Sequence, residues 1–226
     1  MTQEQQTDSL EKIAQEVRVC QACKLHKGRT NAVPGDGSSQ AEILFIGEGP
    51  GMHEDKQGKP FVGAAGQFLN EMLASAGLNR AECFIANIVK CRPPNNRDPE
   101  ADEITACSAY LNRQIALINP KIIVTLGRFS MAKYFPGETI GKIHGKARII
   151  QDKIVLPLYH PAAALHQNAL KATLLEDFKQ VPAALANARK KADQEKQVKQ
   201  PIVAANPETN AQKENPEIPP EQLSLF

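Results

Sequence analysis

Cys20 and Cys23 stand two residues apart in a polar stretch, VCQACKLHKGR, where a buried apolar thiol has no reason to lie. That spacing lets both sulfurs face one metal centre. Cys91 and Cys107 complete a set of four, and spacing alone leaves zinc and an iron–sulfur cluster equally open, since both accept four thiolates. The fifth cysteine, Cys83, falls inside an apolar run and reads as inert packing. A second group is polar in unusual places. Asn87 interrupts the apolar run CFIANIVK; a buried Asn must be hydrogen-bonded, so it is either a structural bridge or a reader of a ligand. Glu48 and Glu54 flank a tight Gly-Pro-Gly turn, and His160 stands in LYHPAA. Carboxylate and imidazole side chains are the groups that activate water or donate to charge as it develops.

These residues must be carried by regular elements. Short, dense apolar runs at 41–47, 83–90 and 121–127 read as buried parallel strands, and 147–159 as a hairpin arm plus a fourth strand. Between them lie helical patterns: QFLNEMLASAGL, ended by Gly77; a helix from Asp98 as N-cap and Pro99 to about Ile118; RFSMAKYF; and residues 168–188. Strands alternating with helices predict a three-layer αβα fold around a four-stranded parallel sheet. The peculiar segments GEGPG, CRPPNNR, LGR and HPAAA each follow a strand. They therefore share the carboxyl edge of the sheet, where ligands bind in such folds.

The chain has 226 residues, enough for one domain of ordinary size and a tail, and its 42% hydrophobic content supports a core. With a formal charge of +2, any nucleic-acid face must be a local patch. No apolar run approaches a membrane span, and the polar amino terminus carries no apolar signal region, so a cytoplasmic protein is expected. In a reducing compartment clustered thiols point to metal rather than to disulfides. The domain is expected to occupy residues 1–188. Residues 189–226, which have no Gly, five Pro and little apolar content until their end, read as a disordered tail.

Taken in order, C-x2-C, GEGPGMHEDKQGKPFVG, NIVKCRPPNNRDP, Cys107 and LYHPAA resemble the family 4, iron–sulfur uracil-DNA glycosylases of the bacterial type, over roughly residues 10–185. The resemblance implies a DNA-repair hydrolase that flips uracil out of DNA and cuts its N-glycosidic bond, the first step of base excision repair. It implies a 4Fe–4S cluster held by Cys20, Cys23, Cys91 and Cys107. Phe61 would be the plane on which the base stacks. The Asn87 amide would donate to uracil O4 and accept from N3–H, a pattern cytosine reverses. His160 would donate to uracil O2 as charge gathers on the leaving base, and Glu48 would act at the sugar and on water. Glu54 would line the pocket near C5 and help exclude the methyl of thymine. Family 1 relatives have Asp where this chain has Gly49, which is why the water-activating role passes to Glu48. A related branch traps its substrate with a His placed after the second strand; residues 88–100 here contain none, so ordinary turnover is expected.

DNA grip is expected from Lys59, Lys90, Arg92, Arg97 and Arg128, with Asn96 shaping the pocket or touching backbone and Leu165 as a wedge into the emptied stack. The carboxyl-terminal Gln222, Leu223, Leu225 and Phe226 lie in QLSLF, which resembles the peptide by which bacterial proteins dock on the replicative sliding clamp. A polar tether before it would raise local concentration at DNA. The enzyme is expected to be a monomer, associated with the nucleoid when on DNA. Two other readings stand beside this one. A non-catalytic iron–sulfur DNA-binding module predicts loss of Glu48, Asn87 or His160, and all three are present. A phosphate loop at GEGPG is disfavoured by the carboxylate at its centre.

Overall fold

The computed structural model describes residues 8–199. Six strands form one sheet: β1 (Asp36–Gly37), β2 (Ile43–Gly47), β3 (Phe84–Asn87), β4 (Ile122–Leu126), β5 (Arg148–Ile150) and β6 (Lys153–Leu158), in the order β1-β3-β2-β4-β6-β5. The four expected strands β2, β3, β4 and β6 are mutually parallel. Two short antiparallel edge strands, β1 on β3 and β5 on β6, were not expected as separate members beyond the hairpin arm.

Alternation along β2 builds both faces of the sheet. Leu44 and Ile46 join a cluster with Ile13, Val17, Leu111 and Met131, from α1 (Leu10–Val19), α4 (Ala101–Ile118) and α5 (Arg128–Ala132). Ile43 and Phe45 join Phe68, Leu69, Met72, Leu174 and Phe178 on the other face, from α3 (Ala64–Ser75) and α8 (Asn168–Phe178). Period-two side chains covered on both sides produce the three-layer arrangement. The smaller helices are α2 (Met52–Gln57), α6 (Ile140–Ile143) and α7 (Pro161–His166), and α9 spans Gln180–Lys199. Among the described residues no helix is long and apolar enough to cross a membrane.

Several boundaries differ from the sequence reading: the strand read at 83–90 ends at Asn87, and the helix read at 168–188 is divided into α8 and α9. Helix α4 begins at Ala101 with Glu100 as N-cap, not at Pro99 behind Asp98. The cause is a capping box in which the Glu103 carboxylate takes the Glu100 backbone N–H at 2.8 Å. The HPAAA segment is not a loop but the start of α7, capped by His160. Helix α9 passes the expected boundary at residue 188, and Arg189 is ion-paired with Glu42, so the ordered part extends into the predicted tail. The clamp-like peptide, with Gln222, Leu223, Leu225 and Phe226, lies outside the described residues.

Candidate functional site

A cavity of about 280 Å³ opens at the carboxyl ends of the parallel strands, bordered by Glu48, Glu54, Phe61, Asn87, Asn96 and His160 among others. Three strand ends deliver them: Glu48, Glu54 and Phe61 follow β2, Asn87 and Asn96 lie at and after the end of β3, and His160 follows β6. Asn87 closes β3; alternating with Ile85, it faces the sheet side that holds Phe61. It is 2% exposed, and its Oδ1 is buried with no hydrogen-bond partner. Opposite it in register, Gly47 carries no side chain, and a Cβ there would fall 2.4 Å from that oxygen and 2.7 Å from the Phe61 ring. Glycine is therefore required at the floor, where carboxamide and ring meet. Phe61 holds a positive φ of 52°, a costly conformation for a bulky residue that the surrounding packing maintains.

The His160 ring lies 5.7 Å from that of Phe61, centroid to centroid, at an interplanar angle of 29°. Its Nδ1 accepts from the Ala162 backbone N–H at 3.1 Å, capping α7. An acceptor Nδ1 places the ring proton on Nε2, so the imidazole keeps one donor for a ligand. Burial pushes the His160 pKa down to about 4 against a smaller upward pull from Glu54, so the ring is neutral at physiological pH.

Glu48 follows β2, and its Oε1 lies at the amino terminus of α5, 3.5 Å from the Phe129 backbone N–H. Gly127, with φ of 96°, makes room for it: a Cβ there would sit 2.4 Å from the carboxylate oxygen. Burial raises the Glu48 pKa, opposed by the Phe129 N–H and Arg128. Glu54 also borders the cavity, but its carboxylate is engaged with backbone. It accepts from Val62 (2.9 Å), Gly63 (2.8 Å) and Gly51 (3.1 Å), tying the Gly-Pro-Gly turn to the loop that carries Phe61.

The basic residues expected to grip DNA part company. Lys90 is 1% exposed, and its Nζ donates to Gln114 Oε1 at 2.7 Å, which removes it from any DNA face. Burial of the chain continues past β3, through Ile88 and Val89, and turns Lys90 inward. Arg97 borders the cavity with its guanidinium bound to Glu103, a partner that sequence reading missed. The only local signal for Glu103 is its place three residues after the helix cap. Arg92 donates to Asn96 at 2.8 Å within its own loop. Arg128 is ion-paired with Asp98 at the surface, and Lys59 is exposed. Leu165, 45% exposed on α7, stands close in sequence to His160 and Ala162 at the cavity wall.

Cys20, Cys23, Cys91 and Cys107 border a second cavity of about 10 Å³, while Cys83 lies apart in the core. Three of the four sulfurs accept N–H donors: Cys91 from Arg29 Nη1 (3.1 Å), Cys107 from the Lys90 backbone (3.2 Å) and Cys20 from the Ala22 backbone (3.5 Å). Arg29 was not anticipated, and nothing in its local pattern marks it.

Residues 34–181 match the family described as the Uracil DNA glycosylase superfamily. The chain is 58% identical over 184 residues to a protein of Sulfurisphaera tokodaii named type-4 uracil-DNA glycosylase, covering 77% of this chain and 84% of that one. It is 55% identical to the protein of that name from Saccharolobus solfataricus, covering 80% of this chain and 88% of the other. The protein of the same name from Thermotoga maritima is 43% identical, with 75% and 91% covered.

Proposed function

The chain belongs to the uracil-DNA glycosylase superfamily, alongside its type-4 members, and from that membership we propose how its pocket excises uracil from DNA. The activity is that of a DNA-repair hydrolase acting on uracil-containing DNA. The observation that carries the residue assignment is the buried, partnerless Oδ1 of Asn87 beside the Phe61 ring. A native protein rarely leaves such an atom unpaired, because the lost hydrogen bond costs about 1–3 kcal/mol. A flipped uracil supplies the missing N3–H while stacking on Phe61.

Bond breaking separates C1′ of the deoxyribose from N1 of the base, and the electron pair leaves with uracil. The neutral His160 donates its Nε2–H toward O2, where that charge gathers; a donor of this kind in a water-excluded site is worth about 2.7–4 kcal/mol. Glu48 stabilises the positive C1′ and takes a proton from the attacking water, whose oxygen joins C1′ to give the abasic sugar. Glu54 holds the turn against the Phe61 loop and narrows the pocket on that side.

The four cysteines suit a 4Fe–4S cluster, the group that the resemblance implies: all four thiols border one cavity, and three of them accept N–H donors. Zinc needs its sulfurs at about 2.3 Å from one centre. A cluster binds each thiolate at a different iron and so spreads them around a larger body. When bound, it supplies a covalent tie between the 20–23 segment, the 91 loop and α4. The QLSLF peptide supports docking on a bacterial sliding clamp.

The test is excision from an oligonucleotide carrying one uracil, revealed by hot-alkali cleavage, with thymine and cytosine in the same position as controls. Cleavage at uracil alone is expected. Loss of that selectivity in wild-type protein would remove the Asn87 assignment, and loss of clamp binding without loss of excision on deleting 222–226 checks the peptide.

A further inference from the structure

Arg97 lines the pocket, yet its guanidinium is turned toward the protein. Nη1 donates to Glu103 Oε2 at 2.9 Å and to the Asp98 carbonyl at 2.8 Å, and Nη2 donates to Glu103 Oε1 at 2.7 Å and lies 3.2 Å from Glu100. The Glu103 side chain is 0% exposed, so this is a bidentate pair with a fully buried carboxylate. Glu103 opens a buried stripe on α4 that continues through Cys107, Leu111, Gln114 and Ile118. Residues four apart share a helix face, so one face carries the carboxylate that holds the pocket wall and, a turn later, a thiol of the cysteine site. Lys24, directly after Cys23, closes the circuit: its Nζ is 2.5 Å from Glu100 and 4.0 Å from Glu103.

From this we infer that Arg97 and Glu103 are positioning residues for uracil excision: their buried pair fixes the 93–99 wall of the pocket and, with Lys24, anchors that wall to the cysteine-bearing segment. The inference rests on the excision reading above. It replaces the role of Arg97 as a phosphate contact, because a guanidinium committed to a buried carboxylate has its fork occupied. The wall it holds needs holding. Asn95 and Asn96 both adopt positive φ, at 55° and 54°, a conformation that a non-glycine residue keeps only where its surroundings hold it.

The experiment uses the full chain and four variants: Arg97→Lys, Arg97→Gln, Glu103→Gln and the double Arg97→Gln/Glu103→Gln. Single-turnover excision of uracil, the salt dependence of DNA binding and visible absorbance are read for each. Positioning predicts a loss in excision on the order of 100-fold for Arg97→Gln and Glu103→Gln, since small misplacements of a site cost about that much. The double variant should be no worse than either single one, as expected of one shared interaction. Arg97→Lys keeps the charge but loses the fork, so it should also lose most activity. The slope of binding against salt should be unchanged throughout. A phosphate contact would give the opposite pattern: Arg97→Lys active, Arg97→Gln lowering the salt slope by about one, and Glu103→Gln active. That outcome overturns the inference. Glu103→Gln can fail to fold by stranding Arg97, but Arg97→Lys and the double variant leave no buried charge unpaired and decide the question alone. Wild-type protein that excises no uracil would overturn the functional reading instead.

Discussion

The base pocket and the cysteine site lie four residues apart along one segment, at Asn87 and Cys91, and handle their polar atoms in opposite ways. At the cysteine site three of four sulfurs receive N–H donors from the chain itself. At the pocket a buried carboxamide oxygen has no partner beside a cavity of about 280 Å³. A sulfur met by donors of the chain is held by the fold; a buried oxygen left unmet beside a cavity is free to meet a ligand. The contrast supports the proposal of a structural role at one site and recognition at the other, although both are made of residues that stand out in the sequence.

The largest effect should come from breaking the structural site. Cys91→Ala is expected to remove the visible absorbance of the bound metal and lower the unfolding midpoint by about 10 °C or more, at roughly 2–4 °C per kcal/mol for a chain of this size. Full iron content in that variant would remove Cys91 from the ligand set. Asn87→Ala should do the reverse, cutting excision about 100- to 1000-fold while absorbance and midpoint stay near wild type. A parallel loss of metal would mean that the two sites are not separable.

Glu48→Gln sharpens the contrast within the pocket. Burial raises the folded pKa of Glu48, so the folded chain holds this proton more tightly than the unfolded one. Its contribution to stability therefore falls as pH rises from about 4.5 through the folded pKa. Gln removes that penalty, so the variant should be more stable at neutral pH and much slower in excision. A Tm that falls would show that the carboxylate serves the fold.

The pH–rate profile separates the two groups proposed to act on the bond, Glu48 and His160. His160, with its pKa near 4, stays neutral through the range in which a free histidine would titrate, so it adds no change in rate between pH 8 and about pH 5. An acid limb should appear where Glu48 takes its proton, and it should vanish in Glu48→Gln. A limb centred near pH 6.5, surviving in that variant, would transfer the titration to a histidine. The linked effect on stability has a definite sign: the unfolded chain protonates His160 first, so its environment destabilises the fold as pH falls from about 6.5 to 4. The smallest effect is expected at Cys83→Ala, which should keep its metal and cost about 1 kcal/mol of packing, read from the unfolding midpoint.

Much of this molecule was legible in its residues. The parallel strands announced themselves as short apolar runs, and their order after helical segments placed GEGPG, CRPPNNR and HPAAA on one edge. Cys20, Cys23, Cys91 and Cys107 were separable from Cys83 because a thiol in polar surroundings needs a reason that a thiol in an apolar strand does not. Asn87 was marked by its apolar neighbours, and the structure brings it together with Phe61, Glu48 and His160 at one cavity.

What only the tertiary structure decided concerns partners distant in sequence. Lys90 and Arg97 carry the same charge on the same loop approach, yet one is buried on Gln114 and the other is held by Glu103. No local periodicity distinguishes a solvated cation from one bound to a carboxylate on a later helix. The tautomer of His160 was likewise invisible, because it follows from the cap that Ala162 requires at the start of α7. Composition and spacing determine which side chains lie near the end of each strand. Which hydrogen bonds those side chains have already made, and so what each has left to offer a ligand, is set only when the elements pack.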